Sequence, residues 1–211
     1  MSSKKLFIFD LDGTLVDAYT AIWESLNYTR KRLEYPPVNF AKSKRNVGKG
    51  DRRFMEVFFK KQDIDEALRI YRLHHKKSLR KYSRFKPHAK GLLVFLRKNA
   101  KKTAIASNRP RHFTNIIIST LKMGRLVDYI LCGDEIRSYK PKPKILNMIV
   151  RKFGADKKDA IFVGDMNIDM ETAKRAKMDA IFIRGGSSSL ADIKKYRNKK
   201  VIKSLKEMIK Y

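Results

Sequence analysis

Residues 6–17, LFIFDLDGTLVD, place four apolar side chains directly before two carboxylates and a glycine. The run 6–9 has the length of a buried strand, and Asp10 ends it. Similar short apolar runs recur at residues 103–106, 129–132, 160–163 and 180–183. Amphipathic stretches of helical length lie near residues 88–100, 109–122, 141–153 and 168–177. Strands that alternate with helices predict an α/β fold with a parallel sheet and helices on both faces.

The segment between the first and second predicted strands is too long for one crossover helix. Its pattern predicts helices near residues 19–33, 51–61 and 63–83, separated by Pro36-Pro37 and by Gly48-Lys49-Gly50. We therefore expect a core domain formed by residues 1–17 and 87–211, and an inserted α-helical cap domain over residues 18–86.

The chain is strongly basic. Its 211 residues include 50 Lys and Arg against 21 Asp and Glu, a formal charge of +29, whereas a charge of about 2–8 keeps a small domain soluble. This excess predicts weak, non-specific binding of nucleic acid or another polyanion. Near the end of the chain, the basic residues alternate with apolar residues at helix-like spacing. The basic residues there could form either a solvated helix face or a polyanion-binding face. The apolar residues are Val201, Ile202, Leu205, Met208 and Ile209.

Two features bear on location. No apolar run approaches the roughly 18 residues of a membrane span, so neither an anchor nor a signal peptide is expected. The single cysteine, Cys132, lies in an apolar run and is expected to be a buried thiol without a disulfide partner. Both features favour a cytoplasmic protein that does not contact membranes.

Polar residues follow four of the predicted strands, and the carboxyl ends of parallel strands are where such sheets bind ligands. They are Asp10 and Asp12, Ser107 and Asn108, Asp134, and Asp165 and Asp169. Asp134 is expected only to cap the following segment. A calcium loop is excluded at residues 10–21, because Gly13 comes fourth instead of sixth and Ala21 stands where the loop needs a glutamate.

Four segments in this order, DLDGTLVD (10–17), ASN (106–108), KPKP (140–143) and GDMNID (164–169), resemble the haloacid dehalogenase superfamily of aspartate-dependent phosphotransferases. The resemblance runs from Lys5 into the segment 201–211, and the insertion resembles the helical cap of the phosphoglycolate phosphatase-like branch. It implies a Rossmannoid parallel sheet with helices on both faces and a phosphatase activity. Asp12 argues against a dehalogenase proper, which generally lacks this second aspartate.

The resemblance also implies residue roles. Asp10 would be the nucleophile that forms an aspartyl-phosphate, and Asp12 the general acid and base. The phosphoryl oxygens would be received by Ser107, the Asn108 backbone N–H and Lys140.

Mg²⁺ is the implied cofactor, because a hard cation screens a carboxylate from the phosphate that it attacks. Asp10, the Asp12 carbonyl and Asp165 would bind it, and Asp169 would hold one of its waters. Thr14 would fix the substrate-binding loop. The sequence departs from the family at Met166 and Asn167, where a small hydroxyl residue is more common, and at Lys177, which replaces a usual glycine.

The cap loop 45–53 aligns with the specificity loop of similar caps, so its four cations are predicted to contact an anionic substrate: Arg45, Lys49, Arg52 and Arg53. A basic loop is also expected by chance in so basic a chain. The pair His74-His75 has no partner at metal-ligand spacing and is predicted to lie on the surface.

The leading hypothesis is a magnesium-dependent phosphatase of a small anionic metabolite, such as phosphoglycolate, a sugar phosphate or pyrophosphate. One alternative is a phosphatase of nucleic-acid ends, for which Tyr71, Tyr82 and Phe85 could stack on bases, although such aromatics also suit a core. Another is a non-enzymatic polyanion-binding protein on this fold. A mutase resembling β-phosphoglucomutase is a weaker option.

Overall fold

The computed structural model describes residues 4–196 and 199–210. The helices and strands, numbered along the chain, are β1 (Leu6–Phe9), β2 (Val16–Asp17), α1 (Tyr19–Arg32), α2 (Phe40–Arg45), α3 (Asp51–Phe58), α4 (Ile64–Tyr82), β3 (Arg84–Phe85), α5 (Ala89–Lys98), β4 (Lys102–Ser107), α6 (Arg111–Thr120), β5 (Tyr129–Cys132), α7 (Lys144–Lys152), β6 (Ala160–Gly164), α8 (Asn167–Ala176), β7 (Asp179–Ile183) and β8 (Lys199–Ile202). The predicted α/β class is confirmed. Tyr211 and residues 1–3, which the predicted core range includes, lie outside the described residues.

Six parallel strands form the main sheet in the order β5-β4-β1-β6-β7-β8. After β1 the chain builds one side of the sheet, and at β6 it returns to the other side of β1. The strand order therefore reverses at β1, and a ligand crevice is expected beyond the carboxyl ends of β1 and its neighbours.

Both faces of the sheet are covered, as the apolar run of β1 predicts. Phe7 and Phe9 point to one face and join a core built with α5 and α6, whereas Leu6 and Ile8 point to the other face and join a core built with α7 and α8. This alternation follows from the two-residue period of a strand.

The helical insertion has a core of its own, contributed by α1, α3 and α4 and including Leu26, Phe58 and Leu68. The chain enters the insertion through β2 and leaves it through β3, and these two short strands pair antiparallel, Val16 opposite Phe85. The pairing lies beside the predicted domain boundaries, which stay a prediction. Tyr71 lies in the core of the insertion, and Tyr82 and Phe85 pack against the core of the sheet.

Two local expectations were incomplete or wrong. Helix α2 was not predicted; it has only six residues, and its first turn is capped by the Asn39 side chain, which accepts a hydrogen bond from the Lys42 N–H at 2.8 Å. Near the end of the chain, Val201 and Ile202 belong to strand β8 instead of a helix, because they pair with the open edge of β7. Ile202 is buried and Val201 exposed, as alternation in a strand requires. A 3₁₀ helix, Leu205–Lys210, follows.

Cys132 is buried, as expected, and burial raises the pKa of its thiol to about 11. Within residues 4–196 and 199–210, no helix has both the length and the apolar character that a membrane crossing needs.

Candidate active site

The loop after β1 carries Asp10 and Asp12 into the crevice. The Asp10 N–H continues the strand ladder to the Val163 carbonyl at 2.8 Å, and both aspartate side chains are nearly buried. Gly13 turns the chain with a φ of +87°, and a Cβ at this position would collide with the Asp165 carboxylate and the Tyr19 hydroxyl. Only glycine therefore allows the loop to pass so close to the neighbouring acidic group.

Three carboxylates meet at the carboxyl end of the sheet. Asp10 follows β1, Asp165 follows β6 and Asp169 lies in the first turn of α8, and one oxygen of each lies within 4.8 Å of the others. Burial raises the pKa of the Asp10 carboxyl well above its usual range, and Asp169 and Asp165 add to this while Lys140 opposes it. Burial and the Asp169 charge likewise raise the pKa of Asp165 to about 6.

Lys140 connects two of these carboxylates. Its buried Nζ donates to Asp10 at 2.5 Å and to Asp169 at 2.7 Å. Burial alone disfavours the ammonium, but the two carboxylates outweigh this and raise the pKa of Lys140. The lysine therefore stays charged beside Asp10.

The Asn108 side chain fixes the backbone of Lys140. Its Oδ1 accepts from the Lys140 N–H at 2.7 Å, and its Nδ2 donates to the Lys140 carbonyl at 3.1 Å and to the Gly48 carbonyl of the cap at 2.8 Å. This side chain therefore joins the β4 end, the Lys140 loop and the cap, a contact that the sequence did not predict. The Ser107 hydroxyl lines the same cavity and accepts from the Arg109 N–H at 3.1 Å.

Asp165 is held by three donors. The hydroxyls of Thr14 and Tyr19 donate to it at 3.0 and 2.9 Å, and the Ser187 N–H donates at 2.9 Å. Thr14 thus orients a carboxylate, in addition to belonging to the loop that the sequence placed near the substrate. The roles of Tyr19 and Ser187 were missed, and no motif signals them.

Asp12 forms a buried bidentate ion pair with Arg109, whose Nε and Nη2 donate to it at 2.8 and 3.0 Å. The third contact of the guanidinium joins Nη1 to Nε2 of His75 on α4 at 2.8 Å. His75 is 1% exposed, so its predicted surface position is wrong. Burial, and then the Arg109 cation, lower the pKa of its imidazole well below the usual range. Arg109 directly follows the ASN segment, but in a chain with 50 Lys and Arg this position alone does not distinguish it from the other cations.

The acidic cluster fits a hard divalent cation. Asp10, Asp165 and Asp169 offer only oxygen ligands, the donor type that Mg²⁺ prefers. Burial and mutual repulsion make the ionised cluster unfavourable by itself, and a cation would relieve this repulsion.

The cap cations lie elsewhere. The cavity in front of Asp10, about 60 Å³, is lined by core residues 107–110 and by residues 47, 48, 50, 51 and 54 of the cap, and by none of the four predicted cations. Arg45, Lys49 and Arg53 line a separate groove beside residues 187–189. Arg52 pairs with Asp65 at 2.8 Å on an exposed face. Their predicted substrate contact therefore has no counterpart in this arrangement of the cap.

Comparison with known proteins agrees with the geometry. The family model of the haloacid dehalogenase-like hydrolases matches residues 7–183. A phosphoglycolate phosphatase of Aquifex aeolicus is 30% identical over 175 residues, which cover 82% of this chain and 81% of the relative. A phosphoglycolate phosphatase of Pseudomonas syringae pv. syringae is 27% identical over 218 residues, which cover 97% of this chain and 78% of the relative. The crystal structure of a predicted phosphoglycolate phosphatase from Haemophilus somnus is similar in fold, with a TM-score of 0.92 and 23% sequence identity. The match covers 100% of this chain and 98% of that structure.

Proposed function

Since this chain belongs to the haloacid dehalogenase-like hydrolases and is a phosphatase of that family, we propose that it hydrolyses the phosphate monoester of a small anionic metabolite with the help of Mg²⁺. Phosphoglycolate is the first candidate substrate, because the relatives at 27–30% identity carry that activity in their names. Sugar phosphates, and pyrophosphate as a phosphate anhydride, are the next candidate substrates.

The observation that carries the proposal is the position of Asp10. Its carboxylate lies on the wall of a small cavity, in contact with the Lys140 ammonium and beside a cluster of metal-ligand type. Asp12 lines the same cavity two residues further on. The residues proposed as nucleophile, proton carrier and cation for the phosphoryl oxygens therefore line one cavity.

The proposed reaction has two steps. An Asp10 oxygen forms a bond to phosphorus while the bond from phosphorus to the leaving oxygen breaks, and Asp12 gives its proton to that oxygen. Asp12 then takes a proton from water, whose oxygen attacks the phosphorus of the aspartyl-phosphate. The bond between phosphorus and Asp10 breaks, which releases inorganic phosphate and restores the Asp10 carboxylate.

The other residues bind and orient. Lys140 and the Ser107 hydroxyl are proposed to receive the phosphoryl oxygens, together with the Asn108 backbone N–H. Asp10, the Asp12 carbonyl and Asp165 would hold Mg²⁺ and Asp169 one of its waters, and the ion when bound supplies positive charge next to the reacting phosphoryl group.

Phosphate release from 2-phosphoglycolate and from p-nitrophenyl phosphate, measured with Mg²⁺ and with EDTA, tests the proposal. Asp10→Asn should abolish turnover of both esters, because an amide is a poor nucleophile, and acid-quenched wild-type protein should contain a hydroxylamine-labile acyl phosphate. Asp156→Asn makes the same change on the surface, where the Asp156 side chain is 72% exposed, and should retain activity. Substantial turnover by pure Asp10→Asn protein would exclude the aspartyl-phosphate mechanism.

The nucleic-acid and non-enzymatic alternatives receive no support from the site. Cap residues such as Phe54 and Tyr71 line part of the cavity wall, and a space of about 60 Å³ favours a small ester over a polymer end. The domain boundaries at 17/18 and 86/87 and the cytoplasmic location stay predictions.

A further inference from the structure

We infer that Arg109 recognises a carboxylate on the substrate and thereby releases Asp12 for proton transfer. The inference rests on the proposed function, because it assigns a receptor for the part of the substrate that lies beyond the phosphate. It concerns a residue that the sequence motifs did not include.

The contacts of Asp12 conflict with its proposed role. Asp12 is proposed to deliver a proton to the leaving oxygen, yet both of its oxygens accept hydrogen bonds from Arg109, at 2.8 and 3.0 Å. A buried bidentate pair of this kind occupies both oxygens of the carboxylate, so neither is free to face a leaving oxygen. For Asp12 to act on the substrate, Arg109 must therefore loosen its hold on it.

Few cations surround the cavity. Among the described residues that line it, Lys140 and Arg109 are the cations, and Lys140 already contacts Asp10 and Asp169. Much of the cap wall is apolar or aromatic, with Ile22, Phe54 and Tyr71. A second negative group on a bound ester would therefore have Arg109 as its ion partner. A carboxylate suits a guanidinium fork especially well, because it can replace Asp12 with the same bidentate geometry.

His75 acts in this inference as a positioning residue for Arg109. The Arg109 Nη1–H donates to its Nε2, so the proton of the neutral imidazole lies on Nδ1, which faces the Ser25 hydroxyl at 3.0 Å. Ser25 in turn donates to the Ala21 carbonyl at 2.8 Å. This chain of hydrogen bonds runs from α1 and α4 of the cap to Arg109. It holds the guanidinium at the cavity wall when its contact with Asp12 is exchanged for one with the substrate.

The test compares two ligands of nearly equal size that differ in the carboxylate, 2-phosphoglycolate and ethyl phosphate. Calorimetric titration of Asp10→Asn protein with Mg²⁺ measures binding without turnover. We expect 2-phosphoglycolate to bind at least about tenfold more tightly, the effect of one exchanged ion pair of about 1.4 kcal/mol. When Arg109→Gln is combined with Asp10→Asn, the preference for 2-phosphoglycolate should be lost. When Arg109→Lys is combined with Asp10→Asn, part of the preference should remain, because the charge is kept but the planar fork is not.

Arg111→Gln is the matched control. This arginine lies two residues further on, donates to the Ile130 carbonyl, pairs with Glu135 and does not line the cavity. The control should keep the full preference. Circular dichroism and titration with inorganic phosphate establish that each variant is folded and retains its phosphoryl site. If Arg109→Gln does not fold, because it leaves Asp12 buried without a partner, Arg109→Lys decides the question: an undiminished preference in that variant overturns the inference.

A kinetic measurement tests the release of Asp12. Both ligands have alkoxide leaving groups that need a proton, but only 2-phosphoglycolate has a carboxylate that could draw Arg109 away from Asp12. At saturation, the wild-type enzyme should therefore turn over ethyl phosphate at least about tenfold more slowly than 2-phosphoglycolate. Equal kcat values would contradict the release. Equal binding of both ligands, or a preference that survives Arg109→Gln, would overturn the inference while leaving the phosphatase in place. If wild-type protein with Mg²⁺ releases phosphate from neither ester, the proposed function itself fails, and the inference with it.

Discussion

The replacement Asp165→Asn should stabilise the metal-free protein. Asp165 is fully buried, and burial together with the Asp169 charge raises the pKa of its carboxyl from 3.8 to about 6 in spite of three hydrogen bonds. Each pH unit of difference in pKa corresponds to about 1.4 kcal/mol. The ionised carboxylate therefore costs the folded protein about 3 kcal/mol at pH 7.

An asparagine removes this charge and can keep the contacts. Its amide oxygen can accept from Tyr19 and from the Ser187 N–H, and its NH₂ group can donate to the Thr14 hydroxyl, which is able to accept. We expect a gain of about 1–3 kcal/mol in the free energy of unfolding at pH 7 in EDTA.

The pH dependence has a definite sign. Because the folded pKa of Asp165 lies above its unfolded value, its favourable contribution is complete below pH 3.8 and is lost as the pH rises through about 6. The difference between wild type and Asp165→Asn should therefore shrink as the pH falls from 7 to 4.

Urea unfolding in EDTA at pH 7 and pH 5 measures these free energies, with Asp156→Asn as the control for loss of a surface charge. Millimolar Mg²⁺ should stabilise the wild type by mass action and the Asp165→Asn variant much less. A buried carboxylate that destabilises the metal-free protein is excluded if Asp165→Asn is less stable than wild type in EDTA at pH 7, or if the difference in unfolding free energy is the same at both pH values.

Three further predictions concern other parts of the chain. Asn108→Ala should lower the free energy of unfolding by about 1–3 kcal/mol, because the Lys140 backbone loses buried hydrogen-bond partners. Urea unfolding measures this loss, and the control Asn115→Ala, on the exposed face of α6, should show no comparable loss. For His75 the folded pKa lies well below the unfolded value of 6.5, so its contribution is complete above pH 6.5 and is lost as the pH falls. The stability advantage of wild type over His75→Gln should thus shrink between pH 7.5 and 5.5, and an unchanged advantage would count against a buried neutral imidazole. The charge of +29 predicts oligonucleotide binding at about 50 mM salt that weakens steeply as salt is added, while turnover changes less; a fluorescence titration that detects no binding at 50 mM salt would show that the charge serves another purpose.

The sheet was predictable because its strands carry their own signal. Each apolar run was short and bounded, so Leu6–Phe9 and Tyr129–Cys132 have the predicted bounds. The convergence of Asp10 with Asp165 also followed, because parallel strands bring their carboxyl ends to one edge. Strand β8 was misassigned because its identity depends on the open edge of β7 and not on its own pattern.

The residues that the sequence did not reveal act through contacts between distant segments. Arg109 pairs with Asp12 across 97 positions and contacts His75 across 34, and a basic residue after Asn108 looks like any other cation in this chain. His75 likewise sits on a helix whose other histidine is partly exposed. Such pairings are set by the packing of the cap on the core, which a local pattern does not encode.

The ion pairs of Lys140 and Arg109 divide the charged residues of the site into separate groups. Lys140 bridges Asp10 and Asp169, and Arg109 holds Asp12, so four buried carboxylates face two buried cations. A phosphate dianion near Asp10 would therefore meet an excess of negative charge, and the proposed contact of Lys140 with phosphoryl oxygens requires that its contacts with the two carboxylates loosen. Repulsion among Asp10, Asp165 and Asp169 is the reason that a divalent cation and an ester fit this site together better than the ester alone. Asp12 is held separately by Arg109, which occupies both of its oxygens, so in the inferred exchange a group beyond the phosphate would decide whether Asp12 is free to face the leaving oxygen.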